Sequence, residues 1–209
     1  KNYPSHADAR SVFIDAMQHE VEAMRTMAIQ QFKFDGWKED AELAELLLKL
    51  VNEDASSNVR ATALTKLMQI DSAYNAYLCI QRAERDSSFR VMGTAINQLA
   101  AVAPEDALCY AGENEAHRNM RAAIAEVYAK VGHAEHVRFF ETYLPLSSGW
   151  SQAVLFQRYA EMAIRLDDKM LIQQASRFMR SMQQANLSPM IARVAAQEAG
   201  KLETILLPS

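Results

Sequence analysis

Cysteine is nearly absent from this chain. Only Cys79 and Cys109 occur among 209 residues, each preceded by a leucine, Leu78 and Leu108, and they lie one repeat of the pattern described below apart. Two thiols in matching helix slots read as buried structural groups rather than as a disulfide or redox pair. Glycine and proline are also sparse, at six and five. No Gly-rich loop is available to cradle a phosphate, no G-x-S-x-G elbow to present a nucleophilic serine, and no low-complexity linker to divide the chain. Basic residues are not in excess: 22 Lys and Arg stand against 26 Asp and Glu, for a formal charge of −4. Without a Lys/Arg block interleaved with aromatics there is no electrostatic footprint for nucleic acid, and none is expected as a partner. No apolar run approaches the roughly 20 residues of a membrane span, so a soluble chain without a membrane span is expected. The first residue is Lys1 rather than methionine, which predicts a fragment of a longer chain and makes the missing leader silent about the parent's compartment.

What the chain does have is a repeat. Residues 52–67, NEDASSNVRATALTKL, set out an acid, a turn, Val-Arg and then an apolar helix, and this pattern returns on both sides. Arg25, Arg60, Arg90 and Arg121 follow at intervals of 35, 30 and 31 residues, each just inside an apolar helical segment. A fixed period of this length is the mark of stacked helical pairs. Asp54, Glu84 and Glu115 stand six residues ahead of the last three arginines, while Glu20 stands five ahead of Arg25. Two readings of the arginines stand side by side. An exposed row could grip phosphate or a carboxylate terminus, whereas pairing with the acids of the turns would make a structural ladder of charge-assisted bonds tying repeat to repeat. The paired acids favour the ladder, with Arg25, Arg60, Arg90, Arg121, Asp54, Glu84 and Glu115 as its members.

Apolar spacings of three and four predict helices throughout and no strand. The first pair covers 7–17 and 20–32, with Val12, Phe13, Ala16 and Met17, then Met24, Met27, Ala28 and Phe32, on the buried faces. Asp35-Gly36 breaks the chain. The second pair is 40–51, carried by Leu43, Leu46, Leu47 and Leu50, and 57–70, capped by Ser56 or Ser57. The third is 73–83 and 87–102, with Asp86 or Ser87 as cap and Phe89, Met92, Ile96 and Leu99 inward. Pro104 fits the first turn of the next helix, where it loses no helical hydrogen bond. The fourth pair, 104–111 and 116–131, is closed by Gly132. The fifth, 133–143 and 148–166, is joined by LPLSSGW with Trp150 as a candidate anchor. Two further helices follow at 169–184 and 188–199, the last opened by Ser188-Pro189 and ended by Gly200, leaving KLETILLPS as a tail. The expected architecture is all-α, an alpha-alpha superhelix or solenoid of about five or six helical pairs in a single domain spanning 1–209.

Few residues could carry chemistry. His19-Glu20 opens like the zinc-peptidase motif HExxH, but Ala23 stands where the second histidine is needed. His133 and His136, with Glu141 further on, could in principle face one metal ion from a helix, although they read better as surface histidines. Eleven methionines could furnish an adaptable groove, yet Met24, Met27, Met92 and Met120 fall on core phases. No histidine lies near either cysteine in sequence, so nucleophilic catalysis has no support.

NEDASSNVRATALTKL, RDSSFRVMGTAINQL and ENEAHRNMRAAIAEVYAKVG resemble HEAT repeats over about residues 10–132, and the second helix of such repeats commonly opens with an acidic turn and Val-Arg. More narrowly, DARSVFIDAM, then EAMRTMAI and VRATAL, is similar to the C-terminal HEAT-like domain of bacterial zinc aminopeptidases of the aminopeptidase N family. The resemblance implies a HEAT/ARM-like solenoid without catalytic machinery, packing on the catalytic domain of the same polypeptide and limiting the access of peptide substrates. Zinc would belong to the parent enzyme, whose HExxH, distant Glu ligand and Gly-x-Met-Glu-Asn motif are not found in this chain, so no catalytic, cofactor or metal residue carries over. The alternative is a stand-alone HEAT-type scaffold that binds another protein along its concave face.

Overall fold

The computed structural model describes residues 6–32, 40–183 and 187–207, with side chains from residue 10 onward. The expected break at Asp35-Gly36 lies outside the described residues. These residues form twelve α-helices and no strand, and the chain divides into two compact units, Lys1–Val102 and Ala103–Ser209.

The first unit holds α1 (His6–Met17), α2 (Glu22–Gln31), α3 (Ala41–Glu53), α4 (Ser57–Ile70), α5 (Ser72–Arg85) and α6 (Phe89–Val102). Within each of the pairs α1–α2, α3–α4 and α5–α6, a connection of three or four residues makes the two helices antiparallel neighbours. α1 packs on α2, α3 on α4 and α5 on α6, while α2 packs on α4 and α4 on α6, so the second helices form the shared layer. Local chemistry sets the helix starts. The Asp40 carboxylate accepts from Leu43 N, Ser56 Oγ from Asn58 N and Val59 N, and the Asp71 carboxylate from Tyr74 N, each satisfying an otherwise orphaned donor. Asp71 alone joins α4 to α5, closing one helix with its own N–H and capping the next with its side chain. Leu43, Leu47, Leu64, Leu67, Ile96 and Leu99 fill the interior.

The second unit holds α7 (Pro104–Glu113), a 3₁₀ turn at Arg118–Met120, α8 (Arg121–Val131), a second 3₁₀ turn at Ala134–His136, α9 (Val137–Tyr143), α10 (Gly149–Leu166), α11 (Lys169–Gln183) and α12 (Pro189–Leu206). α7 packs on α8, α9 on α10 and α11 on α12, and α10 also packs on α8 and α12. Aromatics dominate this core. Phe140 and Tyr159 stack at 5.1 Å, and Tyr128 meets Phe139 edge-on at 5.2 Å.

Several expected core positions lie elsewhere. Met24 and Met27 are exposed, and Thr26, Ala28 and Ile29 are buried instead. α2 carries apolar residues around most of its circumference, so its sequence does not fix which stripe faces inward. Val12 is exposed, and Phe89, at the first position of α6, lies at the surface. Trp150 is 74% exposed, so it is not a buried anchor of its turn. Cys79 is buried but Cys109 is exposed, and both are free thiols. Gly200 does not end the last helix, which runs on to Leu206. The cost of glycine in a helix interior, about 1 kcal/mol, is offset by burying Leu202 and by the two bonds from Arg180 to Glu203, at 2.8 and 2.6 Å.

Candidate functional site

The periodic arginines of the first unit build a repeated joint. Arg25 donates from Nε and Nη2 to Asp54 at 2.7 and 2.9 Å, and from Nη1 to the carbonyls of His19 and Glu20, both at 2.8 Å. Arg60 reproduces this one repeat on. Its Nε and Nη2 donate to Asp86 at 3.1 and 2.8 Å, and its Nη1 to the carbonyls of Asp54 and Ala55. Each aspartate also accepts from the backbone two residues ahead, Ser56 N to Asp54 and Ser88 N to Asp86. One guanidinium thus closes its own turn and clasps the next repeat's carboxylate, in the two-pronged geometry that only arginine offers. Asp54 and Asp86 are buried at 6% and 3% side-chain exposure. Hydrogen bonding to the carboxylates raises both guanidinium pKa values against the opposing effect of burial.

The other expected members are placed differently. The carboxylate clasped by Arg60 is Asp86, not Glu84, which lies 3.8 Å from its neighbour Arg85. Arg90 is exposed, and among the described residues no carboxylate pairs with it; it lines a polar groove of about 400 Å³ with Thr62, Thr65 and Thr94. Arg121 is buried with its guanidinium 4.3 Å from the centre of the Tyr143 ring, and its Nη1 donates to Leu146 O. Glu115 accepts from the Tyr128 hydroxyl at 2.6 Å, and burial, reinforced by this bond, raises the tyrosine pKa. A cation–π contact therefore stands where the period predicts an ion pair.

Asp86 could have been found in sequence. Asp54-Ala55-Ser56 and Asp86-Ser87-Ser88 share an aspartate two residues before a serine, and that spacing lets the carboxylate take the serine's N–H. Counting a fixed six residues back from each arginine selects Glu84 instead. Arg165 is a second residue of consequence that periodicity does not mark. From α10 it donates to the carbonyls of Ala129, Tyr128 and Gly132, clamping the end of α8, and burial lowers its pKa.

The histidines serve local structure. His19 lies in the turn between α1 and α2 rather than on a helix, and its Nδ1 accepts from Val21 N at 3.0 Å. His136 Nδ1 accepts from His133 N at 2.9 Å, and its ring lies 4.2 Å from that of Tyr128; burial lowers its pKa. Glu141 is engaged by the Tyr159 hydroxyl and by Gln174 Nε2, both at 2.9 Å. Among the described residues, no three His, Cys, Asp or Glu side chains are grouped so that they could hold a metal ion, and no helix is long and apolar enough to cross a membrane.

A groove of about 780 Å³ opens between α3 and α5, floored by the end of α4. Leu48 on one wall and Tyr74 and Tyr77 on the other are exposed, and Glu45 and Asp71 are its charged lining residues. Asn75 fixes the floor by donating to the carbonyls of Leu67 and Asp71, both at 2.8 Å. No protein-family model, curated protein or solved structure matches the chain.

Proposed function

We propose that this chain is a non-catalytic, C-terminal HEAT-like domain of a zinc-dependent aminopeptidase, packing on the catalytic domain and shaping substrate access. The observation that carries the repeat reading is the duplicated joint, Arg25 on Asp54 and Arg60 on Asp86, with the same backbone bonds at each copy. Pair-on-pair stacking within each unit supports a HEAT/ARM-like repeat architecture. The aminopeptidase part rests on the resemblance of DARSVFIDAM, EAMRTMAI and VRATAL. It gains support from Val21, Met24 and Met27, three exposed apolar side chains of one short segment, which suit a surface covered by a neighbouring domain. Zinc and its ligands would belong to that catalytic domain, and this chain's part is steric.

The groove between α3 and α5 favours a second reading, a stand-alone HEAT-type scaffold that binds a protein partner. The two are separated by the coding sequence upstream of Lys1, read in frame. An HExxH motif followed by a downstream Glu supports the aminopeptidase domain; a start codon immediately ahead of Lys1 overturns it and leaves the scaffold.

A further inference from the structure

The groove between α3 and α5 has a chemistry of its own. Its α3 wall is the stripe Ala41, Ala44, Glu45, Leu48 and Asn52, positions three or four apart on one helix face. At 1.5 Å per residue that stripe is roughly 16 Å long, about three helical turns. Opposite it, Tyr74 and Tyr77 are 83% and 67% exposed, too open to belong to this unit's core. Between the walls the floor is Leu67, Ile70 and Leu78, with the Asn75 amide among them tied to the carbonyls of Leu67 and Asp71. Among the described residues, the charged ones of the lining are both acidic: Glu45 on α3 and Asp71 at the start of α5.

We propose that this groove docks a basic amphipathic helix of a partner protein, about three turns long. Its apolar face would lie on Leu48, Leu67 and Leu78, and its lysines or arginines would reach Glu45 and Asp71 across the two tyrosine rings. Helix-in-groove recognition uses anchors at spacings of three and four, which match the stripe they would meet. Exposed aromatic faces add attraction for a cation, and an all-acidic lining sets the sign of the partner. An acidic helix would meet repulsion from both carboxylates. The inference stands whether the chain belongs to an aminopeptidase or acts alone.

The test is fluorescence anisotropy on residues 1–209 with a labelled 14-residue peptide carrying leucines on one helical face and lysines on the other, beside a counterpart with every lysine replaced by glutamate. The lysine peptide is expected to bind and the glutamate peptide not to. Tyr74→Ala with Tyr77→Ala, and separately Glu45→Gln with Asp71→Asn, should each weaken binding about tenfold, and added salt should weaken it further. Asparagine at position 71 keeps the helix cap, and circular dichroism of each variant checks folding. Glu105→Gln with Asp106→Asn makes the same charge change in the other unit and should leave binding intact. Equal binding of the two peptides, unchanged binding by the tyrosine variant, or an equal loss in the control pair would overturn the proposal. So would a dimer of the chain in sedimentation that the tyrosine variant abolishes, since the groove would then be occupied by a second copy.

Discussion

Arg25 and Asp54, 29 residues apart in sequence, meet through two parallel hydrogen bonds of 2.7 and 2.9 Å, and Arg60 meets Asp86 in the same way. The joint fixes the turn before α2 to the turn before α4, and the turn before α4 to the turn before α6. Each carboxylate is almost fully buried while its arginine keeps an exposed edge, so removing one partner strands a charge away from water.

Asp54→Ala should therefore destabilise the first unit by about 2–4 kcal/mol, as for other broken, largely buried pairs, and Asp86→Ala by a similar amount. Glu84→Ala, at the position a fixed repeat count selects, should cost less than about 1 kcal/mol. Urea unfolding of the three variants separates the two assignments. Similar losses for Glu84→Ala and Asp86→Ala would count against the joint described here.

Two glycines at helix ends in the sequence should respond in opposite directions. A Cβ on Gly132 would lie 2.6 Å from the carbonyl oxygen of Tyr128 and 2.9 Å from its Cα, and Gly132 O is itself an acceptor for Arg165. Gly132→Ala must shift the end of α8 within that clamp, and a loss of about 1–3 kcal/mol is expected. A Cβ on Gly200 meets nothing within 4 Å, so Gly200→Ala should raise stability by about 0.5–1 kcal/mol. Thermal melts read both signs.

Arg165→Lys should not rescue Arg165→Ala. Three carbonyls share one guanidinium, and an ammonium on a flexible stem cannot reproduce the fork. Both variants are expected to lose about 1.5–3 kcal/mol, measured by denaturant unfolding. Wild-type stability in the lysine variant would contradict the clamp.

Acid should loosen two further ion pairs, Arg10 with Asp40 and Arg180 with Glu203. The Arg10 guanidinium holds the Asp40 carboxyl below its usual range, and Arg180 does the same for Glu203. A carboxylate whose folded pKa is lowered contributes stability that is present above its unfolded value, near 4, and is lost as pH falls through the folded one. Melting temperature should decline modestly as pH falls below about 6.5, where the unfolded chain's histidine protonates, and more steeply below about 4, and Asp40→Asn should flatten part of the steeper fall. The His136 pKa is lowered as well, by burial, so protonation there opposes folding in the same direction.

The two thiols should behave differently. Cys79 is buried and its pKa is pushed up to about 12 by desolvation, whereas Cys109 is exposed. A thiol reagent at neutral pH should modify one cysteine in the native chain, identified as Cys109 by peptide mapping, and both in denaturant.

Much of the helical plan was legible in sequence because its signals are local. Ser56, Ser188 before Pro189, and Pro104 mark helix starts where the structure has them, and the leucines of α3 define one face, with Leu46 at its half-buried edge. What failed depended on neighbours outside the local window. Met24 and Met27 lose the core to Thr26 and Ile29 because α2 is apolar on several sides. Gly200 continues its helix because Leu202 and Glu203 find partners on other residues of the second unit. The site was less legible than the fold: the spacing drew attention to the arginines, but the partner of Arg60 follows the aspartate–serine turn rather than a constant count. Leu48, Tyr74 and Tyr77 share a groove only because α3 and α5 both pack on α4.

Peptide hydrolysis by the proposed parent aminopeptidase, with and without residues 1–209, tests the proposed role most directly. The quantity to measure is the ratio of kcat/KM for a decapeptide to that for a single aminoacyl amide. A domain that shapes substrate access should shift this ratio several-fold on removal, with the small substrate still cleaved. An unchanged ratio in a folded, active truncation would contradict the account.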